Sequence, residues 1–205
     1  MSKPSEPPPM TRLTIICHAP TAASRAARFP DDEAVETAPD TLRRQVSHIA
    51  ARRWLTGPER RTRGTAAAVS GNASVVIDDD LRDWDVGRWR GRDLSELHQS
   101  EPAALLAWLT DASAMPHGGE SLRDLLARTG SWLDRQAATR SRLAAVTHPQ
   151  VLRALVTTAI NAGEAAFRHI GVQPLCRVQL SHDGRRWVLQ SLVPPGNGLV
   201  SSDEG

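Results

Sequence analysis

Residues 13–18 read Leu-Thr-Ile-Ile-Cys-His, and residues 143–148 read Leu-Ala-Ala-Val-Thr-His. Each segment is a short apolar run of the kind that forms a buried strand, and a histidine follows it directly. The carboxyl ends of parallel strands meet at the crevice where open α/β sheets bind ligands. The two segments therefore predict that His18 and His148 lie at one crevice. A helix predicted directly after His148 would aim its first N–H groups there, which suits an anion.

The segments around these two strands alternate between extended and helical patterns. A further strand is predicted at residues 74–77, and a β-hairpin at residues 176–180 and 186–192. Helices are predicted at residues 38–54, 60–69, 92–110, 121–138, 151–160 and 164–169, with a break at Pro102. Strands separated by helices indicate an α/β fold with a mainly parallel sheet.

The segment at residues 92–110 is rich in apolar side chains at helical spacing. We expect six of them to reach the core, namely Leu94, Leu97, Leu105, Leu106, Trp108 and Leu109.

Composition indicates one globular domain. The chain has 205 residues and a mass of 22.3 kDa, with 40% hydrophobic and 23% charged residues. We expect a disordered, Pro-rich leader at residues 1–10, a single domain at residues 11–193 and a flexible tail at residues 194–205.

Composition also restricts location and partners. No apolar run approaches the roughly 20 residues that span a bilayer, and residues 1–10 lack the apolar segment of a secretory signal. Cys17 and Cys176 do not form a disulfide framework, so we expect a cytoplasmic protein with no membrane partner. The net charge is +2 and the arginines are spread along the chain, which argues against a nucleic-acid partner. The oligomeric state is left open.

Five segments resemble, in order, the motifs of the histidine phosphatases, also called the phosphoglycerate-mutase-like superfamily. The family's Arg-His-Gly motif, with Thr or Ser two residues on, corresponds to residues 17–21, Cys-His-Ala-Pro-Thr. Its Ser-Pro-Leu-x-Arg-Ala-x-x-Thr-Ala motif is similar to residues 57–66, Gly-Pro-Glu-Arg-Arg-Thr-Arg-Gly-Thr-Ala. Its Leu-x-Glu-x-x-x-Gly-x-Trp-x-Gly motif resembles residues 81–91. Gly-Gly-Glu-Ser is intact at residues 118–121, and Ser-His-Gly resembles Thr-His-Pro at residues 147–149.

This resemblance implies a three-layer α/β/α sandwich and a phosphatase that hydrolyses a phosphate monoester through a phosphohistidine at His18. Arg61 matches the family's phosphate-binding arginine, and one guanidinium can donate to two phosphate oxygens at once. His148 matches the second histidine, a donor where negative charge develops. Asp83 matches the carboxylic acid that protonates the leaving oxygen and then deprotonates water.

Two further residues and the ligands follow from the same resemblance. Ser24 and Arg28 stand where many members carry Asn and Arg near the phosphate or the rim of the substrate site. The implied partner is a small phosphorylated substrate or phosphate. No metal or other cofactor is implied, and the sequence has no ligand cluster of recognisable spacing.

Three residues of the phosphate cradle depart from the family pattern. Cys17 replaces an arginine and so removes a guanidinium, Ala19 replaces a glycine, and Pro149 replaces a glycine and removes a backbone N–H. Asp83 is also one methylene shorter than the family's glutamate. The alternative function is therefore a catalytically impaired relative that binds a phosphorylated ligand or a partner protein.

Cys17 itself has two readings. Beside His18 it could act as a nucleophile, but neighbours in a strand point to opposite faces, and a small buried residue is the simpler interpretation.

Overall fold

The computed structural model describes residues 10–46 and 49–195. Their strands form one six-stranded sheet in the order β3-β2-β4-β1-β5-β6. The strands are β1 (Thr11–Cys17), β2 (Arg53–Thr56), β3 (Val75–Ile77), β4 (Arg142–Thr147), β5 (Arg177–His182) and β6 (Trp187–Val193).

Helices connect most of these strands. They are α1 (Ala22–Arg25), α2 (Pro39–Gln45), α3 (Arg60–Val69), α4 (Leu94–Ser100), α5 (Pro102–Thr110), α6 (Leu122–Ala137) and α7 (Pro149–Ala159). Short 3-10 turns lie at Asp79–Leu81, Gly87–Trp89 and Glu164–His169. The predicted α/β class is confirmed, and the break at Pro102 separates α4 from α5.

Four strands are parallel, and the C-terminal hairpin adds the antiparallel strands β5 and β6. The central pair is β1 and β4, aligned so that Cys17 lies opposite Thr147. His18 and His148 therefore leave the sheet side by side at its carboxyl edge, as their sequence context predicts.

The two faces of the sheet pack against different helices, which gives the predicted three layers. On β1, Leu13, Ile15 and Cys17 face a large core that includes side chains of α6 and α7. Ile16 points the other way, into a smaller cluster with Trp54 and with Ala66 of α3. This alternation follows from the period of two residues in a strand.

The predicted helix at residues 38–54 is wrong in its second half. Among the described residues of this range, Pro39–Gln45 alone is helical. Residues 53 and 54 belong to β2, where Trp54 lies opposite Val75 and Ala144. The helical spacing of apolar residues was overridden by pairing between two strands that are distant in sequence.

The expected core positions of residues 92–110 are half right. Leu97, Leu105 and Trp108 are buried, whereas Leu94, Leu106 and Leu109 are between 42% and 60% exposed. The break at Glu101–Pro102 turns α5 away from the line of α4, so a single helical stripe does not describe both.

Both ends of the chain and two internal residues fall outside this description. The predicted leader and tail lie mostly at residues 1–9 and 196–205, and residues 47 and 48 are also outside the described part of the chain. Among the described residues, no helix is long and apolar enough to cross a membrane.

Candidate active site

His18 follows the last residue of β1, and its backbone N–H donates to the carbonyl of Thr147 on β4. Its Nδ1 lies 2.7 Å from the carbonyl oxygen of Ala19. Because a carbonyl only accepts, Nδ1 carries the ring proton and Nε2 keeps its lone pair. Burial, the neighbouring His148 and Arg61 lower the pKa of His18 to about 3, so the ring is neutral at neutral pH.

His148 is the N-cap residue of α7, and its side chain is fully buried. The two rings lie close, with 5.2 Å between the ring centroids of His18 and His148. His148 Nε2 is 2.8 Å from Glu59 Oε2. On the other side of the ring, Nδ1 lies 3.2 Å from Arg61 Nε and 3.3 Å from Asp83 Oδ2. An unprotonated Nδ1 accepts from Arg61, whereas a protonated Nδ1 donates to Asp83.

Arg61 comes from the first turn of α3 and is 2% exposed, an unusual degree of burial for a guanidinium. Its three nitrogens all have partners. Nε donates to His148, one terminal nitrogen donates to the carbonyl of Asp31 at 2.6 Å, and the other donates to Asp83 at 2.6 Å. The arginine therefore reaches the same point as both histidines.

Asp83 lies in the loop after β3, and its carboxylate contacts both Arg61 and His148. Burial raises the pKa of its carboxyl group, but His148 and Arg61 outweigh burial and lower the pKa to about 2. The carboxyl group is thus ionised in this state of the site.

Close backbone packing holds the loop of Asp83 against residues 118–121. A Cβ on Gly119 would lie 2.1 Å from the carbonyl oxygen of Asp85, and a Cβ on Gly87 would lie 2.2 Å from that of His117. No other residue type fits either position. The intact Gly-Gly-Glu-Ser motif therefore has a structural reason, which is to place this loop.

Arg128 of α6 fixes the same loop from below. Its guanidinium donates to both carboxylate oxygens of Glu120, at 2.8 and 2.7 Å, and to the carbonyls of Asp80 and Arg82. The carboxylate of Glu120 is thus engaged by the protein itself.

Glu59 is the site residue that sequence reasoning missed. One carboxylate oxygen contacts His148 Nε2, and the other accepts from the backbone N–H of Asp83 at 2.9 Å. Burial raises the pKa of Glu59, but His148 and the backbone hydrogen bonds together outweigh burial and lower the pKa.

Gly57 provides the space for the Glu59 carboxylate. A Cβ at this position would lie 3.0 Å from Glu59 Oε2, 3.3 Å from His148 Nε2 and 2.7 Å from the carbonyl oxygen of Leu81. The sequence shows only that two motif positions change together, and the contact of Glu59 with His148 becomes visible in the structure. Gly57 replaces the serine of the family motif, and Glu59 replaces its leucine. The chain therefore gains a carboxylate at residue 59 and loses a side chain at residue 57.

Ser24 and Arg28 lie at the rim rather than in the buried cluster. Both line a cavity beside His18, and both are exposed. The Ser24 hydroxyl belongs to the capping box of α1, donating to the carbonyl of Thr21 at 2.8 Å and accepting from its N–H at 3.0 Å. A ligand would have to compete with these local bonds for Ser24.

Cys17 is completely buried among apolar side chains. Burial, with smaller contributions from Cys176 and Asp83, raises the pKa of its thiol well above the ordinary value. A thiol in that state is a poor nucleophile at neutral pH, which supports the reading of Cys17 as a small buried residue.

The described residues contain no cluster of metal ligands. Within residues 10–46 and 49–195, no group of three or more His, Cys, Asp or Glu side chains is placed to hold a metal ion.

The sheet order, the paired histidines at its carboxyl edge and the buried guanidinium between them define a phosphoglycerate-mutase-like protein. The model of the histidine phosphatase superfamily (branch 1) matches residues 14–194. The chain belongs to this superfamily.

Curated relatives and solved structures agree with that assignment. The bifunctional protein Rv2228c of Mycobacterium tuberculosis is 30% identical over 191 residues, which are 85% of this chain and 51% of the relative. The chain thus spans about half the length of that relative. Glucosyl-3-phosphoglycerate phosphatase of the same organism is 38% identical over 72 residues, 34% of this chain and 32% of the relative.

Two solved structures show the shared fold. The alpha-ribazole phosphatase of Shigella flexneri has a TM-score of 0.79 at 22% identity, covering 92% of this chain and 98% of its own. The mycobacterial glucosyl-3-phosphoglycerate phosphatase in complex with VO3 has a TM-score of 0.73 at 24% identity, covering 90% and 99%.

Proposed function

We propose that this protein is a metal-independent phosphatase that hydrolyses a phosphate monoester through a phosphohistidine at His18. The observation that carries the proposal is the convergence of His18, Arg61, His148 and Asp83 at the carboxyl edge of the sheet. A nucleophile, cationic donors and a carboxyl group are the parts that transfer of a phosphoryl group requires. The relatives named as phosphatases support the same class of reaction.

The first half of the reaction uses the state of His18. Its neutral ring, with the proton on Nδ1, presents the Nε2 lone pair to phosphorus. Attack forms the N–P bond and breaks the bond between phosphorus and the ester oxygen. The departing oxygen takes a proton from the Asp83 carboxyl group, and phosphohistidine remains.

Asp83 must be protonated for that step, although its pKa in the unliganded site is about 2. A bound phosphate dianion would compete with Asp83 for Arg61 and would add negative charge beside the carboxyl group. Both changes raise the pKa of Asp83, so substrate binding itself prepares the acid. In the second half, Asp83 accepts a proton from water as the water oxygen attacks phosphorus, which releases phosphate and restores His18.

Glu59 acts in this scheme as a positioning residue. It fixes the His148 ring through Nε2, as a carboxylate fixes the imidazole of a catalytic triad, and it holds the backbone of Asp83. One carboxylate thus holds both the ring of His148 and the backbone of Asp83.

The alternative is a catalytically impaired protein that retains the pocket for a phosphorylated ligand or partner. The observation favouring it is the pairing of Arg61 with Asp83 at 2.6 Å, together with the absence of a second guanidinium at Cys17. A phosphate ion must displace a carboxylate before Arg61 can bind it.

A phosphatase assay with 4-nitrophenyl phosphate and excess EDTA separates the two. We expect wild-type turnover to be unaffected by EDTA and to fall at least 10³-fold in His18→Ala. His98→Ala is the matched control, since His98 is exposed on α4 and outside the site. If wild type and His18→Ala are equally inactive, while phosphate still raises the Tm of wild type and not of Arg61→Ala, the binding protein is correct.

A further inference from the structure

A cavity of about 220 Å³ opens directly beside His18, and most of its wall is apolar. Phe29, Trp84, Val86 and Trp108 form the wall opposite the histidine. The group that enters this cavity must be the organic part of a phosphate ester whose phosphorus lies at His18.

The aromatic wall is preformed. Trp84 and Trp108 lie 5.0 Å apart between ring centroids, and Phe29 meets Trp108 edge to face at 5.6 Å. The indole N–H of Trp84 donates to the carbonyl of Glu120 at 2.6 Å, and the guanidinium of Arg168 lies 5.5 Å above the Trp108 ring. A ring that enters meets faces and edges already held in place, so little ordering cost is added on binding.

The charges around the cavity disfavour a second anionic group on the ligand. Among its described lining residues, Arg28 at the exposed rim is the only arginine or lysine, and Asp83 is the carboxylate. The adjoining depression has more carboxylates than guanidinium groups, since Arg61, Arg82 and Arg90 stand against Asp31, Asp32, Glu59, Asp83 and Asp85. Arg61 and Arg90 are already paired with Asp83 and Asp85. A carboxylate or second phosphate on the substrate would lie near these acids.

We propose that the substrate is a phosphate monoester whose leaving group carries a single aromatic ring and no second negative charge. This proposal rests on the proposed function and names its substrate class. The size fits one ring, since an apolar cavity of about 150 Å³ accommodates benzene. Aromatic contacts of this geometry add to the burial of the ring itself.

Hydrolysis rates with matched esters test the proposal. Benzyl phosphate, glycerol 1-phosphate and 3-phosphoglycerate all release an alkyl alcohol, so an aryl leaving group gives none of them an advantage. We expect kcat/KM for benzyl phosphate to exceed that of each of the others at least tenfold. Phe29→Ala should remove most of this preference, whereas Leu106→Ala, an exposed apolar deletion on α5, should leave it unchanged.

Binding of phosphonates, which the enzyme cannot hydrolyse, separates this proposal from the proposed function. Tryptophan fluorescence should report at least tenfold tighter binding of benzylphosphonate than of methylphosphonate. If benzylphosphonate binds more tightly but no ester is hydrolysed, the aromatic-ring site is supported and the phosphatase function is refuted. Equal kcat/KM for the three esters would refute the ring site and leave the phosphatase, and neither binding nor hydrolysis would refute both.

Discussion

At the scale of single residues, the site contains a buried guanidinium, Arg61, that the protein pairs with its own carboxylate, Asp83. Arg61 and His148 contact Asp83, and His148 also contacts Glu59. Buried charges persist only when they are paired, so an unliganded phosphate site of this kind needs internal anions. In the proposed reaction the substrate displaces Asp83 from Arg61, and the released carboxyl group then acts as the acid.

Four side chains could be placed at one site from the sequence, because each matches a motif position beside a predicted strand or helix: His18, Arg61, Asp83 and His148. Glu59 could not, because its role depends on the missing side chain of Gly57 and on His148, which is distant in sequence. No local sequence pattern predicts a contact among three residues that belong to two distant segments.

Substitution of Glu59 tests its positioning role. We expect Glu59→Leu, which loses both hydrogen bonds, to lower kcat about tenfold or more, with KM changed less than twofold. Glu59→Gln keeps an acceptor for His148 Nε2 and should lie between wild type and Glu59→Leu. Steady-state kinetics with 4-nitrophenyl phosphate gives both constants, and circular dichroism checks the fold.

A purely structural role for Glu59 would be indicated by a different pattern. In that case the Tm of both variants would fall, whereas the kcat of the folded fraction would equal the wild-type value.

At the scale of elements, the sequence predicts a helix or strand correctly where that element is determined by its own residues. The helix predicted at residues 121–138 is one example, because α6 begins at a capping box in which the Ser121 hydroxyl accepts from the N–H of Asp124. The sequence did not predict β2, because its four residues form a strand only through pairing with β3 and β4. Short strands inside a helical pattern depend on tertiary contacts.

Removal of the α6 cap should be measurable as a stability loss. Ser121→Ala leaves the N–H of Asp124 without its side-chain acceptor, which costs about 1 kcal/mol. For a domain of this size we expect the Tm to fall by roughly 2–4 °C. Ser131→Ala, an exposed serine on the same helix, is the control and should not lower the Tm. Equal effects of the two substitutions would show that the cap contributes nothing.

At the scale of the whole molecule, the site lies at the carboxyl ends of the two central strands, β4 and β1. Its titratable groups are buried by folding, so their pKa values differ between the folded and unfolded states. The order of strands and helices and the five motifs were sufficient to predict a three-layer α/β/α fold. The strand order and the depth of His18 were not predictable, because both depend on which strands meet across the sheet.

The coupling predicts loss of stability in mild acid. His18 binds a proton below about pH 6.5 in the unfolded chain but only near pH 3 in the folded protein. Between these values the unfolded state holds more protons, so acid favours unfolding. From pH 7 to pH 4, urea titrations should show wild type losing on the order of 3 kcal/mol more than His18→Gln, which has no titrating ring. Equal losses would mean that the folded His18 binds a proton at its ordinary pH.

Direct detection of the phosphorylated enzyme tests the central claim. Wild type and His18→Ala are mixed with 4-nitrophenyl phosphate, quenched in base within the first turnovers and digested with trypsin, which cuts after Arg12 and Arg25. Mass spectrometry should find a phosphoryl group on His18 in the peptide of residues 13–25 from wild type only. Turnover by wild type without that modification, or undiminished turnover by His18→Ala, would contradict the account.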